Sequence, residues 1–186
     1  MTKQEKEAVL IEVCRYIRDG LQGDNLQWNM SNIHNGTIGL RRYQRYSELV
    51  RLSKYNGNKC IDLHVYIGQT QGAGQILKNA LIAKENTYRE AAPQGVEVEW
   101  NENPQGENSQ CLVHYYVPIN WENWGNLQPQ QKDVLLNAFR AIHNVANDVV
   151  NQMGDWVDRV GPIWQNHPAT TSSTTSPSSS TASPER

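Results

Sequence analysis

Phenylalanine is almost missing from this chain: Phe139 stands alone beside six Trp and eight Tyr. Its aromatic surface is therefore mostly amphipathic, the kind used both in cores and at binding faces. Cysteine is also scarce. Cys14, Cys60 and Cys111 are odd in number, widely spaced and in no C-x-x-C pair. That pattern fits reduced, mostly buried thiols rather than a disulfide framework or a structural zinc site. No apolar run approaches the about 20 residues of a membrane span. The opening MTKQEKEAVLIEVCRYI is charged and amphipathic, without a signal-peptide core, and reads as cytoplasmic. Neither sign of charge dominates, with 17 Lys and Arg against 19 Asp and Glu. A formal net charge of -2 excludes a global polycation, so any nucleic-acid surface must be local.

Several catalytic signatures are absent. The stretch Tyr66–Ala80, YIGQTQGAGQILKNA, has the strand, glycine loop and helix layout of phosphate-binding loops. However, Gly68 is followed five residues later by Ala73, with no Lys or hydroxyl after it. Gly72-Ala73-Gly74 opens a dinucleotide fingerprint, but its third glycine position is Leu77. The loop reads as a turn into a helix, and no cofactor is assigned. There is no G-x-S-x-G and no distinctive Cys/His pair. The acid-x-Lys that a restriction-type nuclease places on a strand is missing from Val96-Glu97-Val98-Glu99-Trp100.

The elements that are present have clear patterns. Thr2 and Glu5 have capping-box spacing, and Val9, Leu10, Val13 and Ile17 follow it on a helical face that predicts a helix over 3–19, stopped at Gly20. Residues 21–35 read as a loop. Strands are expected near 36–45, 48–55 and 59–67, the last two joined by Asn56-Gly57, a strong hairpin signal. In the third strand Ile61, Leu63, Val65 and Ile67 alternate with Cys60, Asp62, His64 and Tyr66, which implies one buried and one more polar face. A helix over 75–91, strands near 96–101 and 110–117, and a long helix over 130–153 complete the order α-β-β-β-α-β-β-α. This predicts a single α+β domain over 1–167, a mostly antiparallel sheet of about five strands with helices on one face. The Ser/Thr/Pro-rich stretch 168–186 has nothing to bury and reads as a disordered tail.

Three surfaces are candidates for function. Arg41, Arg42, Arg45, Arg51, Lys54 and Lys59 face a single acid, Glu48, across the first hairpins, with Tyr43, Tyr46 and Tyr55 interleaved. Cations attract phosphate, and Tyr43 or Tyr46 would stack on bases. Against this stands an ordinary charged edge that blocks aggregation. The segment Pro118–Pro129, with Trp121 and Trp124, would be an exposed aromatic patch for a protein partner or homodimer. Asp62 and His64 share a strand face and His114 lies on another strand. As a metal set they are incomplete, and no metal is assigned.

The run IDLHVYIG, a short loop, ILKNALIAKENTYREA and VEVEW resembles an uncharacterised bacterial and archaeal domain family. Its members often follow a restriction-nuclease-like domain. Lys84-Glu85 and Trp100 fall where that family has a central Lys-Glu pair and a strand-ending Trp. The resemblance departs at Gly72-Ala73-Gly74, where the family is acidic and polar. It implies a setting of nucleic-acid transactions or defence against foreign DNA, by association, and no catalytic residue. Taken together these readings lead to a non-enzymatic binding domain that contacts nucleic acid or an acidic partner.

Overall fold

A computed structural model describes residues 1–22, 31–42, 46–67, 73–101 and 111–152. Ten elements follow in chain order: α1 Lys3–Gly20, β1 Thr37–Arg42, β2 Tyr46–Tyr55, β3 Asn58–Ile67, α2 Ala73–Ile82, α3 Glu85–Ala91, β4 Glu97–Trp100, β5 Cys111–Val117, a 3-10 turn Trp121–Asn126, and α4 Pro129–Gln152. The strands form one antiparallel sheet in the order β1-β2-β3-β5-β4. The architecture is α+β, as the patterning predicts. No helix among the described residues is long and apolar enough to cross a membrane. The expected tail at 168–186, Trp156 and Trp164 lie outside the described residues.

Helix ends follow local chemistry. The Thr2 hydroxyl accepts from Glu5 N–H at 3.2 Å, and Glu5 accepts from Thr2 N–H at 2.6 Å, so two orphan donors are satisfied reciprocally. Gly20 does end α1, but not in a left-handed conformation. A Cβ there would meet Leu136 Cδ1 of α4 at 2.7 Å, so glycine allows the two helices to approach. Pro129 opens α4, where its missing N–H costs nothing.

The expected single helix over 75–91 is two. After Ile82 the chain tightens, with Lys84 N–H donating to the Leu81 carbonyl, and Lys84 then precedes α3 in a non-helical conformation. Lys84-Glu85 therefore sits at a break rather than inside a helix. Two type I′-like turns occur, at Asn35-Gly36 and Asn56-Gly57, all four residues having positive φ. The first joins His34 to Thr37 across the boundary between the segment read as a loop, 21–35, and the first expected strand, 36–45.

The helices cover one face of the sheet. Leu10, Val13 and Ile17 of α1 and Leu135, Phe139, Ile142 and Val149 of α4 pack onto Ile38, Val50, Leu52, Ile61, Leu63, Val65, Val113 and Tyr115. Trp100 is buried against Tyr88 of α3, with ring centroids 5.9 Å apart. The tryptophan turn is part of this layer and is not an exposed patch. Trp121 and Trp124 are both buried. Trp121 Nε1 donates to the Ser53 carbonyl at 2.9 Å, and Lys6 and Lys59 lie over its ring. Trp124 meets Tyr16 edge-on at 5.5 Å beneath Lys132. A connection that must turn a corner against the sheet buries its large rings, which removes the warrant for a partner site there.

One polar contact crosses this core. Glu48 of β2, only 1% exposed, accepts from the Tyr46 hydroxyl at 2.5 Å, and His143 Nδ1 of α4 lies 3.0 and 3.1 Å from its two carboxylate oxygens. Removing His143 takes the imidazole from a carboxylate held in a low-dielectric interior, leaving the Tyr46 hydroxyl as its remaining named donor. His143→Ala should therefore destabilise the fold by about 2–5 kcal/mol in urea unfolding followed by circular dichroism. A loss below about 0.5 kcal/mol, the size of an ordinary surface change, would contradict this account. Among the described residues the buried Tyr88 hydroxyl has no hydrogen-bond partner. Tyr88→Phe is accordingly expected to leave stability unchanged or raised.

Candidate functional site on the helix-free sheet face

Strand parity assigns the other face. Opposite the core residues of β3 stand Cys60, Asp62, His64 and Tyr66, and register brings Arg51, Leu49 and Ser47 of β2 alongside. From β5 the same register adds Tyr116 opposite Asp62 and His114 opposite His64, and from β4 it adds Glu99 opposite His114. Cys111 needs a separate explanation. It lies three residues before His114, and uninterrupted alternation would send it to the helix side. Between the pairs Val65–Val113 and Tyr66–Cys111 the register shifts, so Leu112 is an extra residue in β5. That bulge returns Cys111 to the His114 side, a re-aiming that bulges commonly perform.

Asp62 is the hub. It is fully buried although it belongs to the helix-free face. Arg51 Nη2 and Nε both donate to Oδ2, at 2.6 and 3.1 Å. Oδ1 faces two imidazoles: His114 Nδ1 at 2.9 Å, in hydrogen-bond contact, and His64 Nδ1 at 3.5 Å, close but not aligned as a hydrogen bond. On its far side His114 Nε2 lies 3.1 Å from Cys111 Sγ. The His64 and His114 rings are 5.1 Å apart, His114 stacks on Tyr116 at 5.5 Å, and Tyr116 stacks on Tyr55 at 4.2 Å. Four rings thus run in a row across the sheet.

Electrostatics follow from this packing. Burial opposes the Asp62 carboxylate, but the hydrogen bond from His114 and the close approach of His64 outweigh it and hold the carboxyl below its ordinary range. Burial opposes the His114 imidazolium as well. Contacts with Asp62 and Cys111 outweigh it and push His114 up to about 10. Cys60, whose neighbours include Asp62 but no imidazole contact, is instead pushed up to about 11, first by burial and then by the Asp62 charge.

Cavities open on both sides of the hub. One of about 420 Å³ is lined by His34, Thr37, Ser47, Leu49, His64 and Tyr66, among others. A second, of about 490 Å³, is lined by Glu99, Trp100, Asn101, Cys111 and His114.

Of the basic residues singled out from sequence, the three with described side chains, Arg51, Lys54 and Lys59, do not converge. Arg51 lies on the helix-free face and is tied to Asp62, with its side chain 41% exposed. Lys54 shares the parity of Val50 and Leu52, and its rung partner Lys59 pairs with Glu122 and lies over Trp121 on the helix side. Tyr46 is buried and turned onto Glu48, so it is no stacking platform; the expectation fails because the alternation that places Ser47 on the helix-free face turns its neighbour into the helix-covered core. Of Arg41 and Arg42 the backbone register alone is described, opposite Glu48 and Ser47. Tyr43 and Arg45 lie outside the described residues, as does the loop at Gly68 and Gly72. Lys84 and Trp100, from the family-like run, are structural: Lys84 marks the break between α2 and α3, and Trp100 packs in the core. Glu85 holds Arg89 along α3.

Asp62, His64 and His114 do converge, with one potential ligand atom from each within 4.8 Å of the others. All three are named from the sequence, but no spacing ties His114 to the Asp62 and His64 pair; the register of β3 on β5 does so. Cys111 was hidden by the bulge. No protein-family model, curated protein or solved structure matches this chain.

The hub has a pH signature in chelator-containing buffer. Asp62 binds its proton less readily folded than unfolded, so its contribution is present above its ordinary value of 3.8 and is lost as pH falls. His114 binds its proton more readily folded. Its contribution is full below 6.5 and disappears as pH rises through about 10. The pair should therefore stabilise most between about pH 4 and 6.5. His114→Gln should flatten the decline of unfolding free energy between about pH 7 and 10. Superimposable curves for the two proteins would count against the pairing.

Proposed function

We propose that this domain binds single-stranded nucleic acid across the helix-free face of its sheet. The observation that carries the reading is the Arg51 guanidinium, part-exposed on that face between the half-exposed rings of Tyr55 and Tyr66. A flat antiparallel face with tyrosines for bases and an arginine for phosphate suits a strand whose bases are unpaired. The row of stacked rings holds Tyr55 in place, which lowers the entropy lost when a base lands on it. The resemblance to a family found beside restriction-nuclease-like domains points to the same setting by association. The binding face moves from the basic hairpin expected from sequence to the sheet, because Lys54 and Lys59 belong to the other side.

Fluorescence anisotropy with a labelled single-stranded oligonucleotide at low salt tests this. Binding should weaken as salt rises, and Tyr55→Ala and Tyr66→Ala should each cost about fivefold or more in affinity. Lys54→Glu, on the opposite parity, should matter less than either tyrosine. Absence of binding at low salt removes the reading. A dominant effect of Lys54 returns the interface to the hairpin.

A further inference from the structure

We propose that Asp62, His64 and His114 form a site for one divalent transition-metal ion of the zinc class. This goes beyond nucleic-acid binding and does not depend on it. Three donors come together from two adjacent strands. Asp62 Oδ1 is the pivot, 2.9 Å from His114 Nδ1 and 3.5 Å from His64 Nδ1. An ion with bonds of about 2.0–2.2 Å holds tetrahedral ligands about 3.3–3.6 Å apart, so the two spacings at Asp62 lie near what it needs, and all three ligand atoms lie within 4.8 Å of one another.

A second observation is independent of the clustering. Among the described residues His64 Nδ1 is a buried nitrogen with no hydrogen-bond partner, on a side chain only 9% exposed, and it faces the carboxylate oxygen at 3.5 Å. Buried polar atoms are rarely left in this state, because each costs its lost hydration. A metal ion supplies what the nitrogen lacks.

The surroundings suit such an ion. Arg51 occupies Oδ2 and leaves Oδ1 turned to the two imidazoles, so the carboxylate would bind through one atom. Cys111 holds Nε2 of His114 and turns Nδ1 toward the hub. All three ligands stand on paired strands rather than loops, which fixes their directions. Two imidazoles and one carboxylate favour zinc, cobalt or nickel over magnesium and calcium, which prefer all-oxygen shells. Three protein ligands leave a fourth position for water or another ligand.

The full chain, stripped with a chelator and dialysed, is titrated with zinc chloride by calorimetry and with cobalt chloride by visible absorption. One ion per chain should bind, and excess magnesium should not displace it. Cobalt should give the intense visible bands of four-coordinate geometry. His64→Ala should lower zinc affinity about tenfold or more while circular dichroism stays native. His34→Ala, at an exposed histidine, should leave it unchanged. Failure to bind, or equal affinity in His64→Ala, overturns the site. If His64→Ala does not fold, the cobalt spectrum of the unaltered chain decides, and only the weak bands of a six-coordinate ion would overturn it.

Discussion

Covering a sheet with helices on one face alone is the constraint from which the rest of this molecule follows. Once α1 and α4 lie on one side, every strand residue is sorted by parity. Ile61, Leu63 and Val65 go to the core, and Asp62 and His64 go to the other side. Because β3 is the central strand, its polar face is flanked by β2 and β5. Neighbouring side chains then shield Asp62 fully even though no helix among the described residues lies over it. The result is a charged group in a low-dielectric setting that still borders two open cavities.

The sheet carries a buried carboxylate on each side, and each takes an imidazole from a different element. On the covered side Glu48 meets His143 and ties α4 to β2. On the helix-free side Asp62 meets His114 and ties β3 to β5. The environments differ in a way that separates their roles. Glu48 and His143 are sealed at 1% and 3% exposure, with no cavity beside them among those described. Their contact fixes where α4 sits. The Asp62 group has a guanidinium, a thiol and an unpartnered ring nitrogen around it, and both neighbouring cavities reach one of its histidines. A structural pair would not need that surplus.

Much of the scaffold was legible because it depends on local pattern. The alternation in β3, the Asn56-Gly57 turn, the Thr2–Glu5 box and the apolar stripe of α4 all act within a few residues, and each appears where the pattern places it. The site was far less legible. His114 joins Asp62 only through the register of β3 on β5, which no local window encodes. Cys111 has the wrong parity for its face until Leu112 bulges. The basic hairpin misled for a related reason. Counting Arg51, Lys54 and Lys59 as one cluster ignores that consecutive strand residues point apart. The tryptophans of the 3-10 turn looked exposed because their segment is polar, yet the turn folds them inward beneath Lys6, Lys59 and Lys132.

The bulge at Leu112 makes residue count a chemical variable. Deleting Leu112 would restore a regular ladder and leave Cys111 on the His114 side, whereas inserting one residue between Cys111 and His114 with the bulge kept would rotate Cys111 to the helix side. The thiol–imidazole contact would vanish although Cys111 and His114 themselves were untouched. Related chains could therefore keep both residues and lose their partnership, or gain it, through a single-codon length change that leaves every side chain in the hub intact.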